Sequence, residues 1–305
     1  MEQHPLISVC IRAYNSEKYI DNAIESIINQ DYSGPIEILI CYDEGTCDDT
    51  LRIVEKARIL GNRSLVIHKH QHTTPFRALE KCCLQFFKGD FLTFLDYDNV
   101  MPKSYIRAVV EDAEERDYSF LFTKTILIDS DGSILNRQLT QIPEDPYVIM
   151  NLIYSNFIDI NVTFLRRDCV HLIKRKLAFL KATYFDWIHE DWLIALLALK
   201  HCKPYYVKET HVLYRIHDQN LTASFKKNSI KELFNIERAL RTLLGFYLIE
   251  EHSLSHSEIR ALQTSVINHY TAWIYRLSEL NRSLWKIKIH STLLRVLKKA
   301  LGTLP

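Results

Sequence analysis

Glycine is scarce in this chain: only seven of the 305 residues are glycine. None of the seven forms Gly-x-Gly-x-x-Gly or Gly-x-x-x-x-Gly-Lys, the glycine-rich loops that bring backbone N–H groups close to a phosphate. This absence argues against a Rossmann dinucleotide-binding protein and against a P-loop protein. If the chain binds a nucleotide, it binds it in another way.

The sequence also lacks a charge bias, a long apolar run and a signal-peptide pattern. Its formal net charge is +1, which gives no reason to expect nucleic acid or another polyanion as a partner. No apolar stretch reaches the roughly 18 residues that a membrane-spanning helix needs. The first residues do not show the charged-then-apolar pattern of a secretory signal. We therefore expect a cytoplasmic protein that does not cross a membrane.

Cysteine pairs with the spacing of metal or redox sites are missing as well. No Cys-x-x-Cys occurs, and most of the seven cysteines lie in apolar runs. We interpret them as reduced core residues of a cytosolic protein. They are Cys10, Cys41, Cys47, Cys82, Cys83, Cys169 and Cys202.

Over the first hundred residues, short apolar runs alternate with helical patterns. Strands are predicted at 6–11, 36–41, 64–70 and 91–95. Helices are predicted after Ser16, which can cap the first of them, and at 48–60 and 76–87. This β-α-β-α-β-α-β order predicts an α/β fold with a mostly parallel central sheet covered by helices.

From about residue 102 the alternation loosens. A helix is predicted at 103–116, followed by the strand Phe120–Ile128 and the turn DSDG, which suggests a hairpin that adds an antiparallel strand. Two more strands are predicted at 161–165 and 205–216. Beyond residue 226 the pattern is helical, in segments of roughly 20–25 residues.

The predicted strands of the first half end in side chains that suit a nucleotide. Tyr14 follows the first strand, Asp43 follows the second, and Asp96 and Asp98 follow the fourth. Open α/β sheets bind ligands at this carboxyl edge. A tyrosine can stack on a base, Asp43 can accept from a base N–H, and the two later acids can hold a divalent cation and a ribose. The alternatives are core packing for Tyr14 and an ordinary turn for the Asp-x-Asp pair.

Three motifs resemble the opening of family-2 glycosyltransferases of the GT-A fold. They read ISVCIRAYN at 7–15, DEGTCDDT at 43–50 and GDFLTFLDYD at 89–98, in the family's order and spacing. The resemblance is weaker in the second half of the chain, where HEDW at 189–192 resembles the acceptor-site Glu-Asp motif of the family. YRIH at 214–217, with NLT at 220–222, resembles the segment that closes the donor site.

The resemblance implies a reaction and a division of the chain. The reaction is inverting transfer of a hexosyl or N-acetylhexosaminyl group from a nucleotide-diphosphate sugar, with UDP as the expected nucleotide. The acceptor would be a hydroxyl of a glycan or lipid-linked saccharide in cell-surface polysaccharide synthesis. Residues 1–102 would form the nucleotide-sugar-binding half of a GT-A domain, 103–224 the acceptor-binding half, and 225–305 a helical C-terminal extension. The alternative functions are those of a non-catalytic carbohydrate- or nucleotide-binding relative and of a nucleotidyltransferase.

The resemblance also implies roles for individual residues. Asp191 would be the catalytic base, and Mn²⁺ or Mg²⁺ would bind Asp98 with help from Asp96. Glu190 and His217 would support the acceptor and donor sites. The donor nucleotide would contact Tyr14, Asp43, Arg77 and Asp96. Acids at a helix start also occur for capping alone, and a packed or surface histidine or a solvated helix arginine are the plain alternatives for His217 and Arg77.

The chain departs from the family pattern at a few positions. Arg12 and Ala13 stand where the family has Pro-Thr, Glu44 replaces the second aspartate of Asp-Asp-Gly, and Asn99 follows the Asp-x-Asp pair. The change at Arg12 and Ala13 puts the detail of base recognition in doubt. None of these departures removes Asp43, Asp96 or Asp98, so the donor site should survive.

Two further patterns have open interpretations. The sequence HKHQH at 68–72 could place three imidazoles on one strand face as a metal site, but the intervening lysine and the loop position favour a surface edge. The segment from Arg282 to Lys299 is basic and amphipathic. It could make peripheral contact with an anionic membrane or dock its apolar stripe on the protein, and we slightly favour docking.

Overall fold

A seven-stranded sheet lies at the centre of the protein, with strand order β3-β2-β1-β4-β6-β5-β7. The computed structural model describes residues 4–180, 185–218, 220 and 229–279. The strands are β1 Ile7–Ala13, β2 Ile36–Asp43, β3 Arg63–His70, β4 Phe91–Phe94, β5 Phe120–Ile128, β6 Thr163–Arg166 and β7 Pro204–Arg215.

Helices alternate with these strands and then end the described chain. They are α1 Ile20–Ile28, α2 Thr50–Lys56, α3 Pro75–Ala78, α4 Leu84–Phe86, α5 Tyr105–Arg116, α6 Ile149–Tyr154, α7 Arg167–Leu177, α8 Glu190–His201, α9 Ser229–Glu250 and α10 His256–Glu279. A π-helical turn, Leu79–Cys83, joins α3 to α4, and a 3₁₀ turn, Ile160–Val162, leads into β6. Because α3, the π turn and α4 are contiguous, together they match the helix predicted at 76–87.

The sheet is mostly parallel, as the alternation predicted. β1 to β4 run parallel, and β5 runs parallel to β7, while β6 is antiparallel to both β4 and β5. The carboxyl ends of β1, β2, β4 and β7 therefore lie along one edge. The antiparallel strand is not the one expected after the DSDG turn. The segment after that turn folds back on β5 through an isolated bridge between Ile128 and Ile134 and through backbone hydrogen bonds such as Leu135 N–H to the carbonyl of Leu127 at 2.8 Å, but it forms no strand of the described sheet.

The burial of β2 agrees with its apolar run in the sequence. Every residue of β2 is buried, as expected for a strand covered on both faces. Helix α1 contributes a buried stripe to the same core, and this stripe includes Ile20, Ile24 and Ile27. The predicted N-cap is wrong, because α1 begins after Tyr19, and the hydroxyl of Ser16 instead accepts from the N–H of Tyr14 at 3.0 Å.

The expectation of reduced cysteines is wrong for six of the seven. They form three disulfides: Cys10–Cys83, Cys41–Cys82 and Cys169–Cys202. The first two join β1 and β2 to the π-helical turn, and the third joins α7 to the residue after α8. Cys47, the remaining cysteine, is free and exposed. These partners are 73, 41 and 33 residues apart along the chain, so only the fold brings them together.

The described chain ends in two long helices, as the pattern beyond residue 226 predicted. α9 and α10 pack against each other and against α6 and α8, with Leu240, Leu243 and Phe246 buried. None of the described helices is long and apolar enough to cross a membrane. The basic segment from Arg282 to Lys299 and the proposed boundary at residue 224 lie outside the described residues.

Candidate active site

The loop after β4 meets the end of β7 at the carboxyl edge of the sheet. The guanidinium of Arg215 donates from Nε to the backbone carbonyl of Asp98 at 2.9 Å. The backbone N–H of Arg215 donates to the side-chain oxygen of Asn99, also at 2.9 Å. These contacts fix the Asp-x-Asp loop against a strand more than a hundred residues away, and they place His217 beside that loop.

Asp98 forms a compact polar group with His217 and Asn220. Its Oδ2 lies 2.9 Å from Nε2 of His217 and accepts from Nδ2 of Asn220 at 3.2 Å. Burial raises the pKa of Asp98, and the neighbouring charge of Asp96 raises it further, while His217 opposes the change. The two residues that follow Asn220 in its motif, Leu221 and Thr222, lie outside the described part of the chain.

Asp96 faces a different set of partners. Its Oδ1 accepts from Nη2 of Arg12 and its Oδ2 accepts from Nδ2 of Asn161, both at 2.9 Å. The side-chain oxygen of Asn161 accepts in turn from the backbone N–H of Asp96 at 2.5 Å. Both carboxylate oxygens of Asp96 are therefore engaged by groups other than the partners of Asp98.

Glu190 and Asp191 occupy the first turn of α8, and Glu190 is held by two arginines. Its Oε1 accepts from Nη1 of Arg12 at 2.6 Å, and its Oε2 lies 3.4 Å from Nη2 of Arg238. Burial of Glu190 opposes its ionisation, but the positive charges of Arg12 and then Arg238 outweigh burial and hold its pKa below the usual value. Glu190 is thus an ionised carboxylate in a closed environment.

Asp191 has a different electrostatic environment from its neighbour. One oxygen, Oδ2, accepts from Nδ2 of Asn156 at 2.7 Å. Burial, followed by the charge of Glu190, raises the pKa of Asp191 to about 6. A carboxylate with this pKa is ionised at neutral pH and is a stronger base than an ordinary aspartate.

A further acid, Asp159, lies beside this group and was not singled out by the sequence. Its Oδ1 accepts from the backbone N–H and the Nδ2 of Asn161, at 2.9 and 2.6 Å. Burial raises its pKa to about 7, with added contributions from the charges of Asp96 and Asp191. Asn161 therefore connects Asp159 to Asp96.

A second cluster lies at the ends of β1 and β2, where a nucleobase was predicted to bind. Asp43 is buried, and both of its oxygens lie 3.1 Å from Nδ1 of His72. The ring of Tyr14 is 5.0 Å from the His72 imidazole, between ring centroids, and is 45% exposed. This exposure rules out core packing for Tyr14 and leaves part of its side chain accessible to a ligand.

Gly45 closes this cluster and explains why a glycine stands there. Its N–H donates to Oδ1 of Asp43 at 2.8 Å. A Cβ at this position would lie 3.0 Å from Nδ1 of His72 and 3.1 Å from Oδ1 of Asp43, so a larger residue would displace one of them. The other two histidines of HKHQH have separate partners, since His68 stacks on Phe86 and His70 contacts its neighbouring backbone.

Arg77 is not brought to the Asp-x-Asp loop. Its guanidinium donates to Asp186 and Glu80, both at 2.6 Å, and to the carbonyl of Leu180 at 3.1 Å. None of these contacts, within the described part of the chain, reaches Asp96 or Asp98. A role for Arg77 in donor binding therefore stays a prediction.

The sequence model described as "Glycosyl transferase family 2" matches residues 8–177, which is more than half of the chain. The chain belongs to this family. The matched region contains the three opening motifs except for Ile7, and so includes the loop that carries Asp96 and Asp98. The identification as a glycosyltransferase, made from those motifs, is confirmed.

Named relatives support the same conclusion over different lengths. An uncharacterised glycosyltransferase of Haemophilus influenzae is 33% identical over 45% of this chain and 42% of its own length. A glucosyltransferase of Escherichia coli, UDP-Glc:alpha-D-GlcNAc-diphosphoundecaprenol beta-1,3-glucosyltransferase WfaP, is 28% identical over 78% of this chain and 86% of its own. The chain spans about half or less of the length of several curated relatives that it matches.

Solved structures of low sequence identity share the GT-A fold. S. aureus TarS 1–349 in complex with UDP-GlcNAc aligns with a TM-score of 0.62 and 17% identity, covering 98% of this chain and 81% of that one. The mannosyltransferase PcManGT of Pyrobaculum calidifontis, in complex with GDP-Man and Mn²⁺, aligns with a TM-score of 0.52 and 13% identity over 99% and 88%. The predicted GT-A fold is confirmed.

Several residues of the site were missed or given no role by sequence reasoning. Arg12 stood out only as a departure from Pro-Thr, and Asn161 only as part of a predicted strand that in fact begins two residues later. His72 was placed at a surface edge. Asn156 and Asp159 carried no motif. Only for Arg12 was a signal present, a charge where the family has none.

Proposed function

We propose that this protein is a metal-assisted inverting glycosyltransferase that transfers a sugar from a UDP-sugar to a lipid-linked saccharide in cell-surface polysaccharide synthesis. The observation that carries the proposal is the arrangement along one sheet edge. The Asp98–His217 pair offers ligands for a cation, while Asp191, close to the same network of side chains, offers a carboxylate whose pKa is raised to about 6.

The donor set around Asp98 fits Mn²⁺ or Mg²⁺. The carboxylate of Asp98 is a ligand that both ions accept, and the imidazole of His217 is a nitrogen ligand for a transition-metal ion. Neighbouring ligand atoms of an octahedral ion with bonds near 2.1 Å are about 3 Å apart, and Asp98 Oδ2 and His217 Nε2 are 2.9 Å apart. When bound there, the ion would neutralise negative charge on the departing diphosphate. We assign it to Asp98 first, because both oxygens of Asp96 have other partners, and we propose Asp96 for the ribose side of the donor.

The base in this proposal is Asp191. It would accept the proton of an acceptor hydroxyl as that oxygen forms a bond to the anomeric carbon and the bond from this carbon to the diphosphate breaks. Attack from the face opposite the leaving group inverts the configuration. Because Asn156 holds Oδ2, we expect Oδ1 to receive the proton. A positioned base of this kind contributes ~10²–10⁴-fold.

The nucleobase would bind between the ends of β1 and β2. The exposed face of Tyr14 offers a surface for stacking, and Asp43, held by His72 and Gly45, offers an acceptor for a base N–H. UDP is favoured as the nucleotide because a solved neighbour holds UDP-GlcNAc and because WfaP, which this chain resembles along most of its length, is named for UDP-Glc. The name of WfaP also supports a diphosphoundecaprenol-linked acceptor.

The proposal is tested by turnover of the purified protein. UDP-Glc, UDP-GlcNAc and GDP-Man would each be supplied with Mn²⁺ and α-D-GlcNAc-diphosphoundecaprenol, and released nucleoside diphosphate would be measured. We expect release with a UDP-sugar, at least ~100-fold less release for Asp191→Asn, and little release without a divalent ion. Pyrophosphate as the product would identify a nucleotidyltransferase. Mn²⁺-dependent UDP binding without turnover would identify a non-catalytic relative.

A further inference from the structure

Arg12 lies between the two functional halves of the site. Its Nη2 donates to Asp96 at 2.9 Å, and its Nη1 donates to Glu190 at 2.6 Å. These acceptors are 84 and 178 residues away along the chain. A single guanidinium therefore connects the end of β1 with the loop after β4 and the first turn of α8.

The environment of this bridge makes it stronger than a surface ion pair. The side chains of Arg12 and Glu190 are only 17% and 8% exposed, and that of Asp96 is 30% exposed. Water competes weakly for charges in such a place, and a buried carboxylate that loses its partner is costly. Without Arg12, the remaining ion pair of Glu190 with a described residue would be the longer contact to Arg238, at 3.4 Å.

We propose that Arg12 is a positioning residue for sugar transfer: it fixes Asp96 and Glu190 relative to each other, and through Glu190 it sets the position of the base Asp191. This inference rests on the proposed function. The planar guanidinium presents two nitrogens at a fixed separation, each aimed at one carboxylate. A lysine carries the same charge on one nitrogen and cannot reproduce this fork.

The position of Glu190 matters because Asp191 is the next residue. The two acids share the first turn of α8, so a movement of the Glu190 backbone moves the base as well. Asn156 holds Asp191 from another segment at 2.7 Å, which leaves Arg12 and Asn156 to define its place from two directions. A displacement of about 1 Å at a reacting group can cost ~10²-fold in rate.

The test compares Arg12→Lys with a matched control, Arg166→Lys. Arg166 also joins two acids on different segments, Asp117 and Asp168, but it pairs with the first residue of β4 and so lies at the opposite edge of the sheet. Wild type and both variants would be assayed with UDP-Glc or UDP-GlcNAc, Mn²⁺ and α-D-GlcNAc-diphosphoundecaprenol. The Kd for UDP with Mn²⁺ would be measured by calorimetry.

We expect Arg12→Lys to lower kcat by ~10²-fold while the Kd for UDP stays within about threefold, because Asn161 still holds Asp96 on the ribose side of the donor. We expect Arg166→Lys to change neither. Retained UDP binding would show that the loss of kcat does not come from a general loss of structure. We also expect Glu190→Gln and Arg12→Lys to be non-additive, with the double variant little slower than the slower single one.

Two results would overturn the inference. One is a kcat for Arg12→Lys equal to that of Arg166→Lys, and the other is full additivity of the Arg12 and Glu190 substitutions. If Arg12→Lys does not fold, a double-mutant cycle is measured with Asp96→Asn and Glu190→Gln. The effects of these two substitutions on kcat must then be non-additive, because the intact Arg12 connects the two side chains. A wild-type protein without turnover would contradict the proposed function itself, whereas an active wild type with an unaffected Arg12→Lys contradicts only the role of Arg12.

Discussion

Replacing Asn156 by alanine should move the acid limb of the activity profile to higher pH. The amide of Asn156 donates to Oδ2 of Asp191 at 2.7 Å, and this hydrogen bond favours the ionised form. Its removal therefore raises the pKa of Asp191 above the wild-type value of about 6. A higher pH is then needed to ionise the base, so activity is lost earlier as the pH falls.

The size of the change follows from the strength of such a contact. A hydrogen bond to a charged group is worth about 1.5–3 kcal/mol, and water replaces part of it because Asp191 is only partly buried. A net loss of about 1.4 kcal/mol corresponds to a pKa near 7 instead of about 6. The ionised fraction then falls about twofold at pH 7 and about eightfold at pH 5.5.

The measurement is kcat/KM for the acceptor between pH 5 and 9, with saturating UDP-sugar and Mn²⁺. Asn151→Ala is the matched control, since the amide of Asn151 donates to the carbonyl of Asp145 at 2.9 Å and not to the site. We expect the control to follow the wild-type profile. An acid limb of Asn156→Ala that stays in place or moves to lower pH would refute Asp191 as the titrating base.

Three other changes have direct readouts. Asp98→Ala should abolish the additional rise in melting temperature that Mn²⁺ gives in the presence of UDP; an unchanged rise would place the ion elsewhere. Tyr14→Ala should raise the Kd for UDP at least ~5-fold through lost stacking, with kcat nearly unchanged; an unaltered Kd would remove Tyr14 from the base site. In the unfolded protein without reductant one thiol should react, that of Cys47, and reduction should lower stability by about 3–4 kcal/mol for the 33-residue Cys169–Cys202 loop; seven reactive thiols would contradict the disulfides.

Features that depend on neighbours in the sequence could be predicted. The buried runs of β1, β2 and β4 and the helices between them follow from apolar periodicity, and their parallel order follows from the alternation of the two. The positions of Asp43, Asp96 and Asp98 after their strands then place these acids at one edge of the sheet. The family motifs turned this arrangement into a prediction of chemistry.

Features that depend on contacts across the chain could not be predicted. The insertion of β6 between β4 and β5 brings Asn161 to Asp96, and no local pattern indicates that order. The partners of Arg12, Asp96 and Glu190, lie 84 and 178 residues from it along the chain. His72 was placed at a surface edge because of the intervening lysine and the loop position, and its exposed imidazole contacts a buried carboxylate on β2.

The acids of the site differ in pKa because, among the described residues, arginine side chains form ion pairs with Glu190 and not with every acid. Glu190 lies against Arg12 and Arg238, and its pKa is held low. Within the part of the chain that the structure describes, the hydrogen bonds to the carboxylates of Asp191 and Asp159 come from amide and backbone N–H donors, and burial raises their pKa to about 6 and about 7. Environments that separate the pKa values of neighbouring acids in this way assign different roles to them. Two of the three acids could therefore act as a base, and an experiment has to distinguish them.

Asp159→Asn separates the two candidates. Because Asp159 loses its proton at a higher pH than Asp191, Asp191 ionises beside an Asp159 that is still neutral. The amide oxygen of an asparagine can accept from Asn161 as the carboxylate does, so the site should keep its shape. If Asp191 is the base, Asp159→Asn retains turnover within a few-fold, and its acid limb stays near pH 6, while Asp191→Asn loses ~10²–10⁴-fold. A loss of that size in Asp159→Asn, with Asp191→Asn active, would transfer the role of the base to Asp159.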